Sequence, residues 1–399
     1  MNRERIIYLT FDFLQPIFSG NGTLSRIQVF GLLEKGFNIM VLCPTNTLFG
    51  YDSDNEVLHW IDLGLLTVIT IPIETKKNLG PSCDWDGFQK EAIKQLNQLQ
   101  NFNPNLIVAI DWHTFDLAIF LKEKLNIQLI SQFFRIFSFY EEYFLSFDDY
   151  EKIQKKELRI INYSNLIITL SRFDLEWCLA HSAKKVQTLY PPLTKSFIQL
   201  LNEIEINENQ VESEEIRLIT ISRIVPEKKI LRILPILNEL KKRCVNFSYT
   251  LIGESLDKHY YQELIQSIDG YKLNRYIRIL GRTSLEQMIH HLKKSSIYLH
   301  TSSYEPFGIT IIEAAAANCA IFLDKDGFIG AKEVLESILH FDKLELINYS
   351  DFETTCNLIY NFYKTVKLST KKKKDFCFIS KLNPKHYIDT LVNLFMDFL

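Results

Sequence analysis

The sequence predicts an α/β protein made of two successive doubly wound domains with parallel sheets. Three observations carry this reading. The chain has 399 residues, 47% of them hydrophobic, which exceeds one ordinary core and suits two. Short β-rich runs alternate with longer amphipathic ones, and strands separated by helices imply right-handed crossovers in a parallel sheet. The alternation breaks once, between residues 191 and 215, and then restarts. Two Rossmann-like halves are the outcome.

In order along the first half, residues 6–9 read as a strand, 23–35 as a helix with Gly36 at its C-terminal cap, and 38–43 as a second strand. Further strands fall at 66–71, 106–110, 128–131 and 166–170, with helical patterns at 89–100 and 151–162 between them. Pro191-Pro192 opens an acidic, Asn-rich stretch that reads as a hinge or as a surface loop. The second half gives strands at 218–222, 248–252, 277–280, 297–300 and 320–323, and helices at 230–243, 285–293 and 310–317. Residues 387–399 form an apolar-rich helical pattern. Ligands of such sheets bind beyond the C-terminal strand ends.

Composition excludes several classes. Lys and Arg number 45 against 48 Asp and Glu, a formal net charge of −3, which is no footprint of a nucleic-acid binder. Seven cysteines without CxxC spacing suggest neither a zinc site nor a disulfide framework, and fit a reduced, cytoplasmic setting. The apolar stretch after Arg3 and Arg5 stops at Asp12, too short for a signal-peptide core. The longest apolar run, residues 63–73, falls well short of a membrane span. Lys152, Lys155 and Lys156, and the run of four lysines from Lys371 to Lys374, are compatible with peripheral contact to anionic headgroups, although solvated surface is the simpler reading.

The strongest chemical signal is Glu305-Pro306-Phe307-Gly308-Ile309-Thr310-Ile311-Ile312-Glu313. It places two carboxylates eight positions apart, one on a loop after a strand and one inside the following helix. The amides from Phe307 to Thr310 would face a phosphate at a helix N-terminus. Glu313 could accept hydrogen bonds from ribose hydroxyls, and Glu305 faces what the phosphate carries. Upstream, Ser222-Arg223-Ile224-Val225-Pro226-Glu227-Lys228 puts two cations near a strand end, which taken alone read as solvated. Ser19-Gly20-Asn21-Gly22 follows the first strand and is a near miss to a dinucleotide fingerprint, with Ser25 in the third glycine position. The second strand, however, ends Cys43-Pro44-Thr45-Asn46 without the acid a dinucleotide ribose needs. A hydride-transfer enzyme is thereby disfavoured.

The Glu-x7-Glu arrangement within Glu-Pro-Phe-Gly-Ile resembles the signature of glycosyltransferase family 4, retaining enzymes of the GT-B fold. Arg223 and Lys228 look like that family's diphosphate grip. Leu251-Ile252-Gly253-Glu254 and Ile279-Leu280-Gly281-Arg282 resemble its strand-plus-glycine turns around the nucleotide base. Residues 327–333 resemble a degraded form of its Gly-rich segment. Gly20, Asn21 and Gly22 stand where the family carries a glycine loop near the phosphate and acceptor, with Ser19 replacing the first glycine. Asp111-Trp112-His113 is similar to the strand-end motif of starch and glycogen synthase relatives, whose His faces the donor sugar. Arg135 and Ser138 are weaker candidates for the acceptor side.

The resemblance implies two Rossmann-like domains facing a central cleft: an acceptor-side domain over 1–190, a linker over 191–215, a donor-binding domain over 216–375, and a C-terminal segment, 376–399, crossing back. It also implies transfer of a sugar from a nucleoside diphosphate donor, a UDP- or GDP-sugar, to an unidentified acceptor hydroxyl. Arg223, Lys228, Glu305 and His113 would be catalytic. Gly253, Arg282, Phe307, Gly308, Ile309, Thr310 and Glu313 would complete the donor site. No cofactor or metal is required: the Asp-x-Asp pairs Asp52/Asp54, Asp84/Asp86 and Asp324/Asp326 read as solvated turns. A sugar-nucleotide epimerase and a non-catalytic sugar-nucleotide binder are the rival readings.

Overall fold

The computed structural model describes residues 3–15, 17, 19–45, 54–73, 83–139, 146–205, 215–368 and 380–399. Asp52, Cys377 and the lysine run at 371–374 lie outside them. Two compact units emerge, one from residues 1–192 with 384–399, the other from 193–383.

The first unit holds strands β1 (Arg5–Leu9), β2 (Asn38–Thr45), β3 (Leu66–Pro72), β4 (Leu106–Ile110), β5 (Gln128–Phe133), β6 (Leu166–Thr169) and β7 (Val186–Thr188). Their order is β3-β2-β1-β4-β5-β6-β7, and the pairings are parallel. Every residue of β4 is fully buried, as a sheet covered on both faces requires. The apolar strand runs and the helix faces around Trp112, Phe115 and Ile160 make one core. The helix expected over 89–100 is two helices, Trp85–Ile93 and Leu96–Phe102. The one expected over 151–162 starts earlier, at Phe147, because Ser146 caps it and Asp148 and Asp149 fill its first turn.

The second unit holds β8 (Ile216–Ile221), β9 (Phe247–Ile252), β10 (Ile277–Ile279), β11 (Ile297–Leu299), β12 (Tyr304–Glu305), β13 (Ala320–Asp324), β14 (Phe328–Ile329) and β15 (Leu344–Ile347). The main sheet runs β10-β9-β8-β11-β13-β15, and β12 pairs with β14 beside it. The helix expected over 230–243 begins as a 3-10 turn, Ile230–Ile233, and becomes α-helical only over Leu234–Lys242. Pro235 is the reason: it has no N–H to give to the carbonyl four residues back and fits only the first turn of an α-helix. Within the stretch expected to be a linker, Lys195–Glu203 forms a helix capped by Thr194, with Phe197 fully buried.

In both sheets the strand order reverses beside the first strand, between β1 and β4 and between β8 and β11. A crevice opens at the C-terminal ends of such a pair because the chain leaves the two strands toward opposite faces. The C-terminal helix Pro384–Met396 belongs to the first unit. Gln28 and Gln132 exchange amide hydrogen bonds at 2.8 Å, the Tyr8 hydroxyl donates to Gln28 at 2.7 Å, and the Gln28 amide donates to the Tyr387 hydroxyl at 2.7 Å. Tyr387→Phe leaves one buried Gln28 N–H without an acceptor. That should cost about 1–3 kcal/mol and lower Tm by about 2–4 °C per kcal/mol at this domain size. A thermal melt matching the wild type would show that the network does not hold the helix.

Candidate functional site

In the second unit the crevice is formed by the turns that leave β8 and β11. The turn after β8 carries Arg223, whose side chain is 41% exposed and lies 3.8 Å from Glu227. It ends in the 3-10 turn Pro226–Lys228. From there the Lys228 Nζ reaches Glu305 Oε2 at 2.5 Å. The Lys228 carbonyl accepts a hydrogen bond from the Thr301 hydroxyl at 2.6 Å. The two turns that flank the crevice are therefore tied twice, once by charge and once through backbone. Both side chains of the ion pair are mostly shielded, Lys228 at 16% and Glu305 at 20% exposed, where opposite charges are screened less than at a surface.

Glu305 sits in β12, paired with Ile329 of β14, so the segment 327–333 lies alongside the donor-type motif. The Phe307 carbonyl accepts from the Ala331 amide at 2.7 Å. Gly308, at φ 90°, caps the helix Ile309–Ala316. The helix thus offers the amides of Ile309 and Thr310, while Phe307 stands outside it. Thr310 is fixed from below: its hydroxyl meets the Tyr298 hydroxyl at 2.9 Å, which in turn donates to the Ile221 carbonyl at 3.2 Å. Glu313 is buried at 7% exposure, and burial alone pushes its carboxyl from 4.5 up to about 8.

Gly253 follows β9, and its amide donates to the Gly281 carbonyl at 2.9 Å. A side chain there would put Cβ 1.8 Å from the Ser222 carbonyl oxygen, so this glycine lets the cation-bearing turn lie against β9. Arg282 is 65% exposed and 4.0 Å from Glu254. The structure thus gathers Arg223, Lys228, Glu305 and the Gly308–Glu313 segment around one crevice, with Gly253 behind the turn that carries the cations.

Two features of this crevice escaped the sequence reading. His300, the residue after β11, is buried, with Nε2 3.9 Å from Glu305 Oε2. Arg232 donates to Asp324 at 2.7 Å and lies 4.0 Å over the Tyr349 ring. The signal for His300 was its place between an apolar strand and Glu305; for Arg232 and Asp324, far apart in sequence, there was none.

In the first unit the corresponding crevice lies between the ends of β1 and β4. Asp111 and His113 open the helix Asp111–Leu125 and do not sit on a loop. Asp111, at φ 54°, is fully buried. Its carboxylate accepts from the Phe134 amide at 2.8 Å, the Arg135 amide at 3.1 Å and the Asn21 side chain at 2.7 Å. Glu157 does the same one step further on, accepting from the Phe137 and Ser138 amides at 2.7 and 2.9 Å. Burial raises Asp111 well above the usual carboxylate range and brings Glu157 to about 7, against the pull of these N–H donors. Two buried acids therefore shape the 134–138 segment that holds Arg135 and Ser138.

His113 is stacked between Phe11 and Trp112, at 4.2 and 4.1 Å between ring centroids, with Trp85 edge-on at 4.5 Å. Burial, reinforced by Lys156, holds its pKa well below 6.5, so the ring is neutral. Its Nδ1 has no hydrogen-bond partner among the described residues. Gly20 is the first helical residue, with Ser19 as the cap. The space beside Gly22 is filled by the Asp12 carboxylate, 2.3 Å from where a Cβ would stand, and Asp12 accepts from the Ser19 amide and hydroxyl at 3.0 and 2.6 Å. An internal anion thus serves this helix N-terminus, and Asn21 is engaged by Asp111.

The remaining acids and lysines have partners, some of them buried and some in open solvent. Asp54 is buried, caps the helix Asn55–Asp62 and pairs with Arg26 at 2.6 Å. Asp84 caps Trp85–Ile93, and Asp86 meets Lys152 at 2.7 Å and Lys156 at 3.2 Å. Asp324 is buried against Arg232. Lys155 pairs with Glu151 at 3.1 Å and Lys156 is itself buried. The solvated reading is corrected for Asp54, Asp324 and Lys156, which are buried beside an opposite charge, whereas Asp84, Asp86, Asp326, Lys152 and Lys155 are exposed as expected.

Residues 202–337 match the family model Glycosyl transferases group 1. The phosphatidylinositol N-acetylglucosaminyltransferase GPI3 subunit of Saccharomyces cerevisiae is 23% identical over 225 residues, 53% of this chain and 46% of that protein. The chain therefore spans about half the length of the curated relatives it matches. Anabaena Alr3699/HepE, solved in complex with UDP and glucose, superposes with a TM-score of 0.70 at 16% identity, covering 99% of this chain and 100% of that one. Sucrose-phosphate synthase from Thermosynechococcus elongatus gives 0.75 at 11% identity, over 99% of both chains. At such identities the likeness shows the fold, and the fold is GT-B, with two Rossmann-like domains.

Two outcomes are expected from the geometry of the second unit. Gly253→Ala drives a Cβ into the Ser222 backbone and should lower Tm markedly; an unchanged melt would mean the turn relaxes at no cost. Between its unfolded value of 4.5 and its folded value of about 8, Glu313 keeps a proton that the unfolded chain has released. Its contribution to stability therefore falls as pH rises through that window. The Tm advantage of Glu313→Gln over wild type should grow between about pH 5 and about pH 8, and a pH-independent difference would refute the assignment.

Proposed function

We propose that the chain is a retaining, metal-independent glycosyltransferase of family 4, moving a hexose from a nucleoside diphosphate sugar to an acceptor hydroxyl. The observation that carries this reading is the Lys228–Glu305 pair at the strand-order reversal of the second unit, inside the segment that matches the group 1 model. A sugar nucleotide presents two phosphates and a polyol side by side. A lysine and a carboxylate that meet at one point suit that junction, with Arg223 nearby as a second cation.

In this reading the bond from the sugar C1 to the β-phosphate oxygen breaks while an acceptor oxygen bonds to C1 from the same face. Arg223 and Lys228 stabilise the charge that grows on the departing diphosphate, the electrostatic term that usually weighs most. The acceptor proton passes to a phosphate oxygen of the leaving group, so no enzyme nucleophile is needed. Glu305 takes the sugar hydroxyls, Glu313 the ribose, and neutral His113 a further sugar hydroxyl. Gly253, Arg282 and the Phe307–Thr310 backbone complete the donor site, and Gly20, Asn21 and Gly22 belong to the acceptor side. HepE was solved with UDP and glucose, which favours a UDP-sugar over a GDP-sugar.

The yeast relative is named for a phosphatidylinositol acceptor, so a lipid acceptor, met at a cytoplasmic membrane surface, stands beside a glycan or small molecule. Among the described residues no helix is long and apolar enough to cross a membrane.

A thermal-shift panel of UDP, GDP, ADP and their common sugar conjugates, run with EDTA and with magnesium, tests the reading. One nucleotide family should raise Tm in either condition, and no shift with any of them would contradict it. Lys228→Ala should weaken binding of that nucleoside diphosphate by about tenfold to over a hundredfold. His113→Ala should slow transfer while nucleotide affinity stays as in wild type; full turnover would leave His113 a packing residue.

A further inference from the structure

His300 is held in place from two sides. Its carbonyl accepts a hydrogen bond from the Tyr349 hydroxyl at 2.7 Å, and its ring lies nearly parallel to Tyr298, 6.4 Å between centroids and 16° between planes. The side chain is 5% exposed. Nε2 is enclosed and has no hydrogen-bond partner among the described residues, which is uncommon for a buried polar atom. It lies 3.9 Å from Glu305 Oε2, the same oxygen that Lys228 Nζ contacts at 2.5 Å. One carboxylate oxygen thus has two nitrogens aimed at it, one bonded and one standing off.

Lys228 cannot give its whole charge to a diphosphate while it neutralises Glu305. The geometry points to His300 as the positioning residue that takes over Glu305 when Lys228 turns to the donor phosphate: Nε2–H closes onto Oε2 and keeps the carboxylate aimed at the sugar hydroxyls. This rests on the donor site proposed above. The charged groups facing the ring are Glu305, Lys228, Arg232 and Asp324. Burial is the largest influence and brings the imidazole to about 4, so the ring donates its proton as a neutral group and adds no second cation beside the phosphate.

The pair can be tested in the ligand-free protein by following the His300 ring with NMR as pH is varied. Lys228→Met removes the ammonium 2.5 Å from Glu305 Oε2, and the His300 pKa should rise by about a unit or more. The rise should vanish in the double variant Lys228→Met/Glu305→Gln. An unchanged titration in Lys228→Met, or a rise that survives in the double variant, overturns the proposal whether or not a nucleotide binds.

The second arm measures affinity for UDP and UDP-glucose. His300→Ala should leave UDP affinity unchanged and lower the UDP-glucose to UDP affinity ratio about tenfold. His300→Gln, whose amide can reach the same oxygen, should restore most of it. Equal loss for both ligands, or no rescue by Gln, would make His300 a packing residue and overturn the proposal. A wild type that binds neither ligand overturns the donor site instead, and the ring titration still decides the His300–Glu305 pair.

Discussion

The contact between Lys228 and Glu305 is the constraint on which the donor site proposed for the second unit depends. It joins the turn after β8 to the turn after β11, the two places where a doubly wound sheet leaves room for a ligand. Around it, Gly253 lets the first turn lie against β9, Thr301 ties the Lys228 backbone, and the β12–β14 pairing fixes the strand that carries Glu305. Each of these supports places a charge. The cost is a lysine and a glutamate held together mostly away from bulk water, where removing either takes from the other its close counter-charge. A ligand with two phosphates and several hydroxyls can take the place of each partner for the other.

The first unit uses the same topology with different chemistry. At its strand-order reversal three acids are turned inward: Asp12 serves a helix N-terminus, and Asp111 and Glu157 hold backbone amides between residues 134 and 138. His113 stands among them in an aromatic enclosure, neutral and with one ring nitrogen unpartnered among the described residues. In the proposed reading the cations that grip the diphosphate, Arg223 and Lys228, belong to the second unit.

Much of this was legible in the sequence. Strands covered on both faces are largely apolar, so β1, β4 and β13 announce themselves as short runs. The Glu305–Glu313 spacing and the Arg223–Lys228 pair were legible because one local segment contains each whole motif. What was missed depends on contacts between distant segments. Nothing near Asp111 says that its carboxylate will meet the amides of Phe134 and Arg135, and Arg232 is 92 positions from Asp324. Gly22 has a packing reason of the same distant kind: the Asp12 carboxylate fills the space where its Cβ would stand. The late α-helical start after Ile230 follows from Pro235, a signal that the apolar periodicity around it hides.

The most direct test of the central claim is backbone hydrogen exchange across the whole chain with and without saturating UDP. Added protection should concentrate in residues 223–228 and 307–311, the two segments that flank the Lys228–Glu305 contact. Protection confined to other segments, with these two unchanged while UDP is bound, would contradict the claim.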